Sequence, residues 1–102
     1  MLIIFFFISN LFKTVTPVET PYQAQIIGER IAHERFPKVN YNKYRISVAD
    51  GDDKPYIMGG VWCVYYSPIR ENGELEEVLG GGGPEIHIRK KDGKIMYANL
   101  QR

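Results

Sequence analysis

Residues 80 to 100 read GGGGPEIHIRKKDGKIMYANL: four glycines, a proline, an alternating run, an Asp-Gly pair and a second apolar run. The stretch is either a phosphate cradle or the approach to a β-hairpin. A phosphate loop places its glycines between a strand and a helix, with a Lys-Ser/Thr pair or a helix N-terminus to hold the anion. Here Pro84 and an alternating run follow, with neither feature. Glycines also permit positive φ and close backbone approach, and proline suits the first position of a strand. The run therefore reads as a flexible lead into a hairpin. With Asp92-Gly93 as a two-residue type I′ turn, Lys91 faces Lys94, Lys90 faces Ile95 and Ile88 faces Tyr97. That register gathers Ile86, Ile88, Ile95 and Tyr97 on one face and His87, Arg89, Lys94 and Met96 on the other.

Working outward, Thr20-Pro21-Tyr22-Gln23 has the form of a capping box, with Pro21 at the first helical position. Ala24, Ile27, Gly28 and Ile31 then follow the i, i+3, i+4, i+7 spacing of an apolar stripe, with Gln25, Glu29, Arg30 and His33 off it. Pro37 stops the helix near Phe36. Tyr44, Ile46 and Val48 alternate with Arg45, Ser47 and Ala49, the period of a half-buried strand. Residues 50 to 55, DGDDKP, form a turn cluster. GVWCVYY, residues 60 to 66, is apolar on both faces and reads as a central strand. One helix followed by about four strands, without βαβ alternation, predicts an α+β domain. Its N-terminal amphipathic helix lies on one face of a curved antiparallel sheet.

The 102 residues suit a single domain with one modest core. Thirteen basic and twelve acidic side chains leave a net charge of +1, so no global field recruits nucleic acid or a membrane. Locally the balance is uneven. Residues 50 to 77 hold seven acids against two bases, and residues 85 to 102 five bases against two acids. Leu2 to Ile8 (LIIFFFI) is too short to cross a bilayer, which takes about 20 residues. It lacks a basic n-region and an A-x-A-like cleavage site. Residues 1–16 are set apart as a degenerate export signal, a packed extension or a peripheral anchor; residues 17–102 form the domain. The compartment follows from that choice: cytoplasmic, or periplasmic if the segment is a signal.

The candidate chemistry is sparse. The single cysteine, Cys63, excludes an internal disulfide and a multi-cysteine zinc cluster. It sits in the most apolar run, where a free thiol behaves as a small hydrophobe. His33 and His87 show neither H-x-H nor H-x-x-x-H spacing, so no metal, cofactor or catalytic residue is expected. Seven Tyr, five Phe and one Trp pack the core or furnish a binding face. Were the sheet to curve into a cup, Trp62 and Tyr66 would wall a pocket, with His87 and Arg89 at its rim.

The helix-first layout, Gly59-Gly60-Val61-Trp62 and above all GGGPEIHIRKKDGKI, residues 81 to 95, resemble the NTF2-fold immunity proteins of the YbbC/YhhH type from bacterial polymorphic toxin systems. The resemblance covers roughly residues 17 to 102. It implies an NTF2-like cone, or an open cystatin-like sheet gripping one helix, and a non-enzymatic antidote that binds and blocks a cognate toxin. Many toxins that attack nucleic acid carry a basic cleft. The expected partner surface is accordingly an acidic belt of Asp50, Asp52, Asp53, Glu74, Glu76 and Glu77. The alternative function is a small-ligand module built on the concave sheet.

Overall fold

The structure, a computed structural model, describes residues 16–69 and 82–101. Among the described residues the fold is α+β: one α-helix, α1 (Pro21–Arg35), packs on a four-stranded antiparallel sheet. The strands are β1 (Tyr44–Asp50), β2 (Val61–Pro68), β3 (Pro84–Arg89) and β4 (Ile95–Leu100), in the order β1-β2-β3-β4. Short 3-10 turns, Tyr41–Lys43 and Gly51–Asp53, flank β1. No helix among the described residues is long and apolar enough to cross a membrane.

α1 begins where its capping box sits. Thr20 Oγ1 accepts from the Gln23 amide at 3.2 Å, and Gln23 Oε1 accepts from the amides of Glu19 and Thr20 at 2.7 and 3.2 Å. Three otherwise orphaned donors are thereby satisfied at a terminus of a kind worth about 1 kcal/mol. Ala24, Gly28 and Ala32 are buried against the sheet, with Ile27 and Ile31 half-buried beside them. Small residues line the contact because the helix lies close: a β-carbon on Gly28 would sit 2.6 Å from Val64 Cγ1. Phe36 caps the far end and packs against the core, and Tyr41 donates its hydroxyl to the carbonyls of Ala32 and Phe36 at 2.8 and 2.9 Å.

Even-numbered residues of β1, β2 and β3 face the helix. Trp62, Val64, Tyr66, Ile86 and Ile88 are buried there, with Ile46, Val48, Ile95 and Ala98 half-buried at the margins. Burying each large aliphatic or aromatic side chain contributes about 1.5–3 kcal/mol before conformational entropy is set against it. β2 also buries Val61 and Cys63 on the opposite side, as expected of a central strand. Gly83 is buried at the edge of this core. A β-carbon there would meet Tyr66 Cβ at 2.7 Å and the Tyr44 ring at 3.1 Å. The glycines leading into β3 thus serve close approach at Gly83, and Pro84 opens the strand as expected.

The β3–β4 hairpin departs from the expected register. The Arg89 amide bonds the Lys94 carbonyl at 2.8 Å, and the Gly93 amide bonds the Arg89 carbonyl at 2.8 Å. The loop is therefore the four residues Lys90 to Gly93, and Gly93 takes φ 75°, where a side chain would be strained. Asp92 drives this choice, since its carboxylate holds Arg89 and accepts from the Lys94 amide at 3.1 Å. Ile88 then pairs with Ile95 and His87 with Tyr97, leaving Met96 as a bulge. The bulge flips the parity of β4, so Tyr97 joins His87 on the face away from the helix and Ala98 takes the place beside Ile86.

The residues just before α1 are tied to this hairpin. The Val18 amide bonds the Lys90 carbonyl at 2.7 Å, and Trp62 Nε1 donates to the Val18 carbonyl at 2.8 Å.

Candidate functional site

The sheet's second face is the one α1 does not cover. Alternation along β2 and β3 places Cys63, Tyr65, Glu85, His87 and Arg89 there, and the antiparallel register pairs Cys63 with His87 and Tyr65 with Glu85. Ala49 of β1 stands opposite Cys63. The β1–β2 connection folds back over part of this face. What remains is a cleft of ≈ 340 Å³ lined by Ala49, Lys54, Tyr56, Ile57, Cys63, Tyr65, Glu85, His87 and Gln101. Tyr56 is 79% exposed at its rim.

At the floor of the cleft three potential ligands converge. His87 Nε2 and Glu85 Oε2 are hydrogen-bonded at 2.7 Å, and the Tyr97 ring lies 4.9 Å from the imidazole. The Cys63 sulfur, the Glu85 carboxylate and an imidazole nitrogen of His87 all lie within 4.8 Å of one another. Glu85 and His87 are half-buried, while Cys63 is 4% exposed. Burial pushes the Cys63 thiol up to about 12, and the Glu85 charge adds to the effect. A thiol so protonated is a poor nucleophile at neutral pH, so the trio is not a ready-made cysteine–histidine pair.

The expected site residues are split by the sheet. Trp62 and Tyr66 lie on the helix face and are buried in the core, whereas His87 and Arg89 lie on the second face. The four therefore do not line one pocket. Tyr66 packs edge-on to Tyr41, and its buried hydroxyl, without a partner among the described residues, is pushed up to about 12 by burial, with Glu29 and Tyr41 adding to the effect. Arg89 is occupied by Asp92. His33 is on the exposed side of α1, stacked on Tyr41 at 3.9 Å between ring centroids.

The acidic belt is also partly spoken for. Lys90 Nζ donates to Asp50 Oδ1 and Asp52 Oδ2, both at 2.6 Å, and lies 4.5 Å over the Trp62 ring. Asp52 further accepts from the Gly60 amide at 2.8 Å. These bonds hold both carboxyls below the usual range, the Lys90 contact contributing most. Asp50 and Asp52 thus tie the β1 turn to the hairpin. Asp53 is exposed, and Glu74, Glu76 and Glu77 lie outside the described residues.

Motif spacing along the chain misses the converging trio, because its members meet across strands. The available signal was Glu85-Ile86-His87, two polar residues two apart on an alternating strand, opposite a central strand that carries the one cysteine.

No family model matches the chain, and no curated protein or solved structure matches it either. The fold and the geometry of the second face stand as the ground for a functional reading.

Proposed function

We propose that this chain is a non-enzymatic immunity protein that binds and neutralises a cognate bacterial toxin, and that it docks through the second face of its sheet. The observation that carries the reading is a set of aromatic side chains presented outside a filled core. The space between helix and sheet is taken up by Trp62, Val64, Tyr66, Ile86 and Ile88, while Tyr56 and Tyr97 are 79% and 44% exposed around the cleft on the other side. Tyr97 stands on β4 and Tyr56 on the β1–β2 connection, and tyrosine is among the residues that concentrate binding energy at interfaces. The resemblance of residues 81 to 95 to NTF2-fold immunity proteins supports the class. The Lys90 network shifts the expected interface away from Asp50 and Asp52.

One observation favours a second reading, a small-ligand module of the NTF2-like or cystatin-like type. A cleft of ≈ 340 Å³ falls at the small end of the range that ligand pockets occupy, roughly 300–1,000 Å³.

The test is binding to the product of any toxin-like reading frame found beside the gene, by co-purification and calorimetry. Replacing Tyr56 and Tyr97 together by alanine is expected to weaken the complex by about 30-fold or more, the level of an interface hot spot. Full affinity in the double variant removes the second face from the interface. Failure to bind or protect against any adjacent toxin removes the antidote reading.

A further inference from the structure

The Cys63–Glu85–His87 trio is left without a role by the proposed docking function. Its three donors are of different types, and a metal ion is the one ligand that all three suit at once. A thiolate and an imidazole favour zinc and its neighbours in the first transition series over magnesium or calcium, and a carboxylate completes common zinc sets. We infer that Cys63, Glu85 and His87 form a binding site for a single Zn2+ ion, with the fourth coordination position open to the cleft.

The distances allow it. Zinc takes sulfur at about 2.3 Å and nitrogen or oxygen at about 2.0–2.2 Å, which sets tetrahedral ligands roughly 3.3–3.6 Å apart. The donors here already lie within 4.8 Å of one another, and Glu85 Oε2 and His87 Nε2 are 2.7 Å apart. Bringing the sulfur in by about an ångström and parting the other two by less than that is within side-chain rotation. The backbone need not move, because β2 and β3 fix the three Cα positions in adjacent register.

The charge also closes. A thiolate and a carboxylate offset the two charges of the cation, leaving a neutral cluster at a half-buried place, where an unpaired charge would be costly. On loading, the Cys63 proton leaves to solvent, and His87 offers the metal whichever ring nitrogen carries no proton. The Tyr97 ring beside the imidazole restricts its orientation. Entry is from the cleft, toward which Glu85 and His87 keep side-chain exposures of 30% and 22%.

The experiment uses the tag-free full chain, titrated with Zn2+ by calorimetry and with Co2+ by absorption spectroscopy. The expected result is one equivalent bound, with a thiolate-to-cobalt charge-transfer band and a higher melting temperature in zinc. Cys63→Ser abolishes the band. Glu85→Gln and His87→Ala each weaken Zn2+ by at least about 10-fold, the lower end of what even outer-shell changes cost. His33→Ala leaves the affinity unchanged. Because Cys63 is buried, its serine variant is checked for folding; Glu85→Gln and the wild-type cobalt spectrum decide the matter if it does not fold. No uptake at millimolar Zn2+, a cobalt complex without the thiolate band, or an affinity unmoved by Glu85→Gln and His87→Ala overturns the inference. Each of those outcomes leaves the toxin-binding reading standing, which is tested separately.

Discussion

The two faces of one sheet are built from the same strands and do opposite things. On the helix face, β2 and β3 present Trp62, Val64, Tyr66, Ile86 and Ile88, all buried and contiguous. One residue along, the same strands present a buried Cys63 and the half-buried Tyr65, Glu85 and His87, polar groups able to coordinate or hydrogen-bond. A period of two lets a short strand serve stability and recognition together, since neither side chain set sees the other. The difference teaches where substitutions will hurt folding and where they will change binding.

The sharpest way to break the contrast is to substitute adjacent residues of β3. Ile86→Ala removes a fully buried aliphatic side chain and is expected to destabilise by about 2–5 kcal/mol in urea unfolding. The neighbouring His87→Ala should leave the unfolding midpoint far closer to wild type. An equal loss at both positions would mean that the second face is packed as tightly as the first. Gly28→Ala probes the helix contact from the other side. Its β-carbon would press into the buried Val64 side chain, an overpacking that outweighs the better helix propensity of alanine. A net loss of about 1–2 kcal/mol is expected by chemical denaturation; a gain would show that α1 can slide.

The smallest effect is electrostatic and depends on pH. Asp50 and Asp52 are held below the usual carboxylate range by Lys90 and by backbone amides, and Asp92 chiefly by Arg89. Groups whose folded pKa is lowered contribute stability above about pH 4, and lose it as the pH falls through the folded value. Urea midpoints should therefore drop between pH 7 and pH 3, and the drop should be smaller in Lys90→Met. Asp52 is exposed and Asp50 and Asp92 are only half-buried, so added salt should shrink the contribution further. An acid limb unchanged by Lys90→Met would show that the turn-to-hairpin tie adds nothing.

Much of the framework was legible because local signals agreed. The capping box of Thr20 and Gln23 with the stop at Pro37 named the helix, and the two-faced apolar run at residues 60 to 66 named β2, which runs on to Pro68. The hairpin register was not legible. Asp92-Gly93 favours a two-residue turn as an isolated pair, but the Asp92 carboxylate reaches back to Arg89 and lengthens the loop. Met96 then absorbs the change as a bulge, and Tyr97 moves to the opposite face. The site was hidden for a related reason. Trp62 and Tyr66 have the composition of a pocket wall, yet their parity on β2 commits them to the core. Cys63 and Glu85 come together only through strand pairing, which no spacing along the chain encodes.

Val18 is clasped from two sides, by the backbone of Lys90 and by the indole of Trp62. A chain leaving the ribosome makes α1, β1 and β2 before the hairpin, so the Lys90 half of the clasp on Val18 waits for β3 and β4. Until then the hydrophobic side of the nascent sheet lacks β3, and a nascent chain stalled short of the hairpin should remain sensitive to protease. Emergence of the β3–β4 hairpin is thus what latches Val18 in place.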